Sequence, residues 1–175
     1  MKRWIIAICA VAALTFGSYG WAWLESYQLT RQYLAEAEAS LAGGDLAGAL
    51  KGKERRDPQS GAVVFAGGYQ QVLDLWSSPG AWPKHAEYYA AREAIAEILQ
   101  YRLTVQDGIT MFQNFYGRDN GLLPDILLRV GALLEEQGDT DGAEEIYQTV
   151  IDAFPVRPEI VEQAQRRLEA LKAHR

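Results

Sequence analysis

The stretch Pro124–Arg157 reads PDILLRVGALLEEQGDTDGAEEIYQTVIDAFPVR, and its pattern decides the fold class of the chain. Pro124 suits the first turn of a helix, where its missing N–H would have no intrahelical acceptor. Ile126, Leu127, Val130, Leu133 and Leu134 recur at steps of three and four, which lays one apolar stripe along a helix. Gly138 follows the last periodic residue and suits a left-handed cap. Asp139 or Thr140 caps a second helix, with Glu144 and Glu145 in its early turns, where the helix dipole favours acids. Ala143, Ile146, Tyr147, Val150, Ile151 and Phe154 give that helix its own stripe, and Pro155 ends it. The small residues Gly131 and Ala143 mark a close approach of the two helices. A larger side chain at either place should force them apart.

These residues resemble a tetratricopeptide repeat. With Ala143 at the family's small position in the second helix, Leu127 falls on the large apolar position of the first helix and Gly131 on its small one. Leu134 then takes the next large position, Gly138 the turn, Tyr147 the aromatic position and Pro155 the terminal proline. The family's period is about 34 residues, so the resemblance covers roughly a fifth of the chain. It implies stacked helix pairs whose concave groove, lined mainly by first helices, takes an extended peptide or a partner helix. By that resemblance Arg129, Leu133 and Glu136 are candidate partner-binding residues.

Working back to the N-terminus, Met1-Lys2-Arg3 precedes WIIAICAVAALTFGSYGWAWL, Trp4 to Leu24, which carries no charge. At about 1.5 Å per residue this run can cross a hydrocarbon core of roughly 30 Å. Lys2 and Arg3 would hold the N-terminus in the cytoplasm and place the remainder outside. Trp4 at one end and Tyr19, Trp21 and Trp23 at the other match the two interfacial aromatic belts. The alternative is a cleaved signal peptide with Gly20 and Ala22 before the cut, although bulky Trp21 and Trp23 disfavour that site. Cys9, Ala13 and Gly17 repeat every four residues and form a narrow face able to pack on another membrane helix. Small residues are also common in any anchor.

Beyond the anchor, Leu29, Tyr33, Ala37 and Leu41 continue the helix until Gly43-Gly44-Asp45 breaks it. Leu46, Ala49 and Leu50 then start a second helix, and SLAGGDLAGAL resembles the turn region of the same repeat, with Ala49 at the small position. The likeness decays afterwards, because Lys53 stands where an aromatic residue belongs. Lys51, Lys53, Arg55 and Arg56 read as a solvated helix end, with anionic lipid headgroups as the alternative contact. Pro58 to Gly61 reads as a loop. The apolar run from Ala62 to Trp76 reads as helix rather than strand, and Ser77-Ser78-Pro79-Gly80 as a turn. A further helix covers HAEYYAAREAIAEILQYRL, and a shorter one follows Thr104. The turn-like dipeptides Gly44-Asp45, Gln106-Asp107 and Gly138-Asp139 are spaced as two units and then one of a period of about 34. Pro158 onward forms an amphipathic helix, charged on its outer face as a solenoid cap would be.

Chemistry is mostly excluded. One cysteine rules out an internal disulfide and a thiolate metal cluster. A net charge of −6 argues against nucleic-acid binding, which needs clustered Lys and Arg. No HExxH, CxxC, phosphate loop or GxSxG occurs, and the two histidines are His85 and His174. No catalytic residue, cofactor or metal is expected. Eight acids against Arg129 and Arg157 give Pro124–Arg157 the whole of the chain's −6. Solubility accounts for this, and a basic partner segment steered to that face is the sharper hypothesis. Among the aromatic residues from Phe65 to Tyr89, most should fill the core. Trp82 is the exception, because it sits in a Pro-Gly loop and joins the partner-binding candidates.

The expectation is therefore an all-α chain. Residues 1–24 form a single-pass transmembrane anchor and residues 25–175 a tetratricopeptide-like domain, with its best repeat at 124–157 and a capping helix at 158–173. The resemblance points to a non-catalytic, membrane-anchored protein–protein interaction scaffold, an accessory subunit or assembly factor of an envelope membrane complex. Its partners would be membrane lipid through residues 4–24 and a membrane-protein complex. The rivals are an integral structural subunit packing through its transmembrane helix, and a secreted helical binding protein or enzyme.

Overall fold

In the computed structural model, residues 2–57, 60–78 and 81–173 are described, with Lys2, Arg3 and Ile5–Cys9 described for the backbone alone. Expectations for Pro58, Pro79, Gly80, His174 and the Cys9 side chain thus lie outside the described residues. The chain is predominantly helical. Helix α1 runs without a break from Lys2 to Ala42, and α2 (Leu46–Lys51) returns against it. A two-stranded antiparallel hairpin follows, β1 (Lys53–Arg56) with β2 (Val63–Ala66). Helices α3 (Tyr69–Leu75) and α4 (Ala86–Glu97) form the next packed pair, and α4 ends in a π-helical turn, Ile98–Arg102. Then come α5 (Val105–Phe115), α6 (Leu123–Glu136), α7 (Thr140–Ala153) and α8 (Pro158–Ala173), with α6 packed on α5, α7 on α6 and α8 on α7.

The two glycine–aspartate turns are built alike. Gly44 and Gly138 hold φ of 79° and 80°, conformations in which a Cβ would be strained. Asp45 N–H donates to the Ser40 carbonyl and Asp139 N–H to that of Leu134, each at 2.9 Å, as in a Schellman ending. Each aspartate then caps the next helix: Asp45 Oδ1 accepts from Gly48 N–H at 2.7 Å, and Asp139 Oδ1 from Gly142 N–H at 2.9 Å. Counting from the turns, Ala37 corresponds to Gly131 and Ala49 to Ala143. Ala37, Ala49 and Ala143 are fully buried, and Gly131 is buried as well. Asp139→Ala should therefore cost about 1 kcal/mol, read as a shift of the urea midpoint with an unchanged slope.

The correspondence stops at Gly52. Its φ is 72°, and an added Cβ would lie 2.4 Å from the Ala66 carbonyl oxygen, so helix α2 ends there and the chain turns into β1. The Ala62–Trp76 run, expected as helix, is strand β2 followed by α3. Gly67, with φ of 81°, and Gly68 separate the two, and β2 pairs Val63 with Arg56 and Ala66 with Lys53. The basic cluster, expected as a helix end, is split. Lys51 is buried, while Arg55 on β1 pairs with Glu36 at 2.5 Å, and Arg118 pairs with Glu54. The turn expected at Gln106-Asp107 lies inside α5. Thr104 is the helix cap, with Asp107 completing a reciprocal capping box.

Within the α6–α7 pair, Tyr147 is fully buried, and its hydroxyl donates to Glu135. Its pKa rises above the ordinary 10.0, chiefly through burial and next through the Glu135 hydrogen bond. Above pH 10 the unfolded chain releases this proton while the folded chain keeps it. Stability should therefore fall with rising pH in that range, by up to about 1.4 kcal/mol per unit. Tyr147→Phe keeps the ring and removes the titration, so urea midpoints taken from about pH 9 to pH 11 should fall less steeply in the variant.

Candidate functional site

The base of α1 carries an aromatic cluster. Tyr19, Trp23, Tyr27 and Thr30 recur at steps of three and four and so share one face of the helix. The α3–α4 segment closes over that face. Trp76, 1% exposed, donates from Nε1 to Thr30 Oγ1 at 2.7 Å. His85 lies among three rings, with centroids 4.4 Å from Trp23, 4.5 Å from Tyr27 and 4.4 Å from Trp76. Tyr27 donates to Glu87 at 3.3 Å, and Tyr19 donates to the Trp82 carbonyl at 2.6 Å. Trp23 Nε1 and His85 Nε2 are buried without a hydrogen-bond partner. A cleft of about 140 Å³ opens beside them, lined by Tyr19, Ala22, Trp23, Ser26, Leu75, Trp76 and Ala81.

This cluster also marks where α1 leaves the body of the protein. From Trp23 onward, one face of the helix is covered. Every residue from Ala10 to Ala22 is exposed, including Val11 (64%), Leu14 (75%), Phe16 (77%) and Trp21 (71%). Among the described residues, which leave out the side chains of Ile5–Cys9, no helix is long and apolar enough to cross a membrane. Ala13 and Gly17 lie on this uncovered length, and a Cβ built on Gly17 meets nothing within 4 Å. Trp82 is 73% exposed.

The groove candidates lie on α6. Arg129 donates from Nε to the Leu99 carbonyl at 3.1 Å and from Nη2 to that of Gln100 at 3.2 Å, which satisfies carbonyls in the π-helical turn. Its Nη1 meets Glu136 Oε1 at 2.7 Å, so the structure brings Arg129 and Glu136 together. Leu133 is half-buried on the same helix face. Trp82 belongs to the other region, beside α1. On α7 the outer face presents Asp141, Glu144, Glu145 and Asp152, and Glu144 meets Lys172 of α8 at 3.4 Å.

Sequence reasoning missed the most buried charge. Lys51 is fully buried, and its Nζ reaches Gln70 Oε1 at 2.6 Å, the Asp119 carbonyl at 2.9 Å and Asp119 Oδ2 at 3.0 Å. Gln70 Nε2 in turn donates to Asp119 Oδ1 at 2.8 Å, and Leu122 N–H donates to Gln70 Oε1 at 3.0 Å. Burial pushes the Lys51 pKa down, opposed by the charge of Asp119. Neither lysine nor glutamine at these positions carries a local signal of burial, because the partner is Asp119, far along the chain. The network ties α2 and α3 to the loop before α6.

No protein-family model matches the chain, and no curated protein or solved structure matches it.

Proposed function

We propose that the chain is a non-catalytic, membrane-anchored interaction scaffold, an accessory subunit or assembly factor of an envelope membrane complex. Residues 4–24 serve as the anchor, the N-terminus is cytoplasmic and the helical body lies outside. The observation that carries this reading is α1. Its N-terminal length is helical, free of charge from Trp4 to Leu24, and exposes Val11, Leu14, Phe16 and Trp21 without protein cover. Such a surface is costly in water and stable in hydrocarbon. The helix then enters the body unbroken, which couples the anchor rigidly to the repeat-like pairs. Their paired glycine–aspartate turns and matching buried small residues favour the tetratricopeptide-like reading. The acidic outer face of α7 suits a partner segment rich in lysine and arginine.

Cross-linking mass spectrometry on membranes solubilised in mild detergent tests this. Reproducible cross-links from the body to another membrane protein are expected, and recovery of the free monomer alone would overturn the scaffold. A second reading, a structural subunit held through its membrane helix, is favoured by the open surface at Gly17. A Cβ at position 17 meets nothing within 4 Å, so a loss of co-purification in Gly17→Leu would point to a helix packed there. Unchanged co-purification would instead assign the association to the helical body.

A further inference from the structure

We infer that Trp82 is a second membrane contact, inserted at the lipid headgroup level, which sets the orientation of the helical body on the bilayer. The inference rests on the anchor reading and adds a site to it. The Tyr19 hydroxyl holds the Trp82 carbonyl at 2.6 Å across 63 residues, so the segment Ala81–Lys84 is tied to α1 at the height of Tyr19. Tyr19 lies five residues before Leu24, the end of the uncharged run, or about 8 Å along the helix axis. Trp82 is thereby placed just inside that end, level with the exposed side chains of Tyr19 and Trp21.

The chemistry of the segment agrees with that depth. Trp82 is 73% exposed, and its immediate neighbours Ala81 and Pro83 carry no charge. An indole pairs a large apolar ring with one N–H donor, which is why tryptophan collects where hydrocarbon meets headgroups. Lys84 folds back, its Nζ 4.4 Å from the centre of the Tyr88 ring, so its charge is drawn toward the body. The first acid after this level on α1 is Glu25, and Glu87 of α4 accepts from Tyr27, about two helical turns further toward the body. A helix alone leaves the body free to tilt and to rotate about the anchor axis. A second contact removes much of that freedom, and the α6–α7 pair would then meet its partner from one direction.

The test uses the full chain with Cys9→Ser, carrying one environment-sensitive nitrobenzoxadiazole label at Trp82→Cys, Phe16→Cys or Val156→Cys. Each is reconstituted into phosphatidylcholine–phosphatidylglycerol vesicles with or without brominated acyl chains. The label at position 82 should lose about half its emission or more to brominated lipid, as should the label at 16. The label at 156, which replaces a residue 84% exposed on the body, should lose little. Quenching at 16 without quenching at 82 would overturn the inference and leave the anchor standing. A blue-shifted, unquenched label at 82 would also overturn it, by assigning Trp82 to a protein contact. No quenching at 16 would remove the anchor reading and this inference with it.

Discussion

Gly131→Leu is expected to lower the unfolding free energy by about 3 kcal/mol, the upper end of what overpacking a tight core costs. A Cβ alone at this position would stand 2.4 Å from Tyr147 Cε1 and 2.7 Å from its Cζ. The ring has little room to yield. It is fully buried, and its hydroxyl is held by Glu135, which also accepts from Arg167 at 3.2 Å. The α6–α7 pair must therefore open, and α8, packed on α7, must shift with it. Alanine gives the sharper control. It gains about 1 kcal/mol of helix propensity over glycine, so a net loss in Gly131→Ala isolates the steric cost. Urea titrations of the detergent-solubilised chain read both. A stabilised Gly131→Ala would mean that the close approach is not required.

Lys51→Met is the second large effect, at about 3 kcal/mol or more, because removing one member of a buried pair strands the other. The thioether fits along the lysine stem but offers no donor to Gln70 Oε1, the Asp119 carbonyl or Asp119 Oδ2. Adding Asp119→Asn removes the stranded charge, so the double variant should recover part of the loss. The non-additivity measures the coupling of the pair. Equal losses in the single and double variants would show that the cost is packing at position 51 and not charge. The pH dependence supplies an independent check. Since burial lowers the Lys51 pKa below its ordinary 10.5, the unfolded chain binds this proton more readily in the window below 10.5. Stability gained from this group should rise with pH through that window, and Lys51→Met should abolish the rise.

Much of the helical architecture could be read from local pattern, and particular residues show why. The stripes of α6 and α7, the positive φ of Gly138 and the Asp139 cap all depend on neighbours within about one helical turn, which is the range over which a helix makes its hydrogen bonds. The same holds for Gly44 and Asp45. The reading of residues 62–76 as helix is right for Tyr69–Leu75 and wrong for Val63–Ala66, which is too short for either period to declare itself. What made it a strand was pairing with Lys53–Arg56, reached through the turn at Gly52.

The candidate surfaces divide in the same way. The uncharged run before Leu24 is a matter of composition, and the exposure of Phe16 and Trp21 follows the position of α1 outside the body. Trp82 could be singled out from its loop, but its height along α1 depends on a hydroxyl contributed by Tyr19. Arg129 reads as a surface residue at its place in the helix period, yet its guanidinium serves carbonyls of a π-helical turn about thirty residues earlier. Lys51 reads as one of four basic residues, and only Gln70 and Asp119 distinguish it. Helix positions, caps and the apolar run are written in short-range chemistry, because a turn is stabilised by residues three or four apart. The buried lysine, the capped π-turn, the hairpin and the height of Trp82 come from pairs distant in sequence, whose partners exist only once the helices have packed.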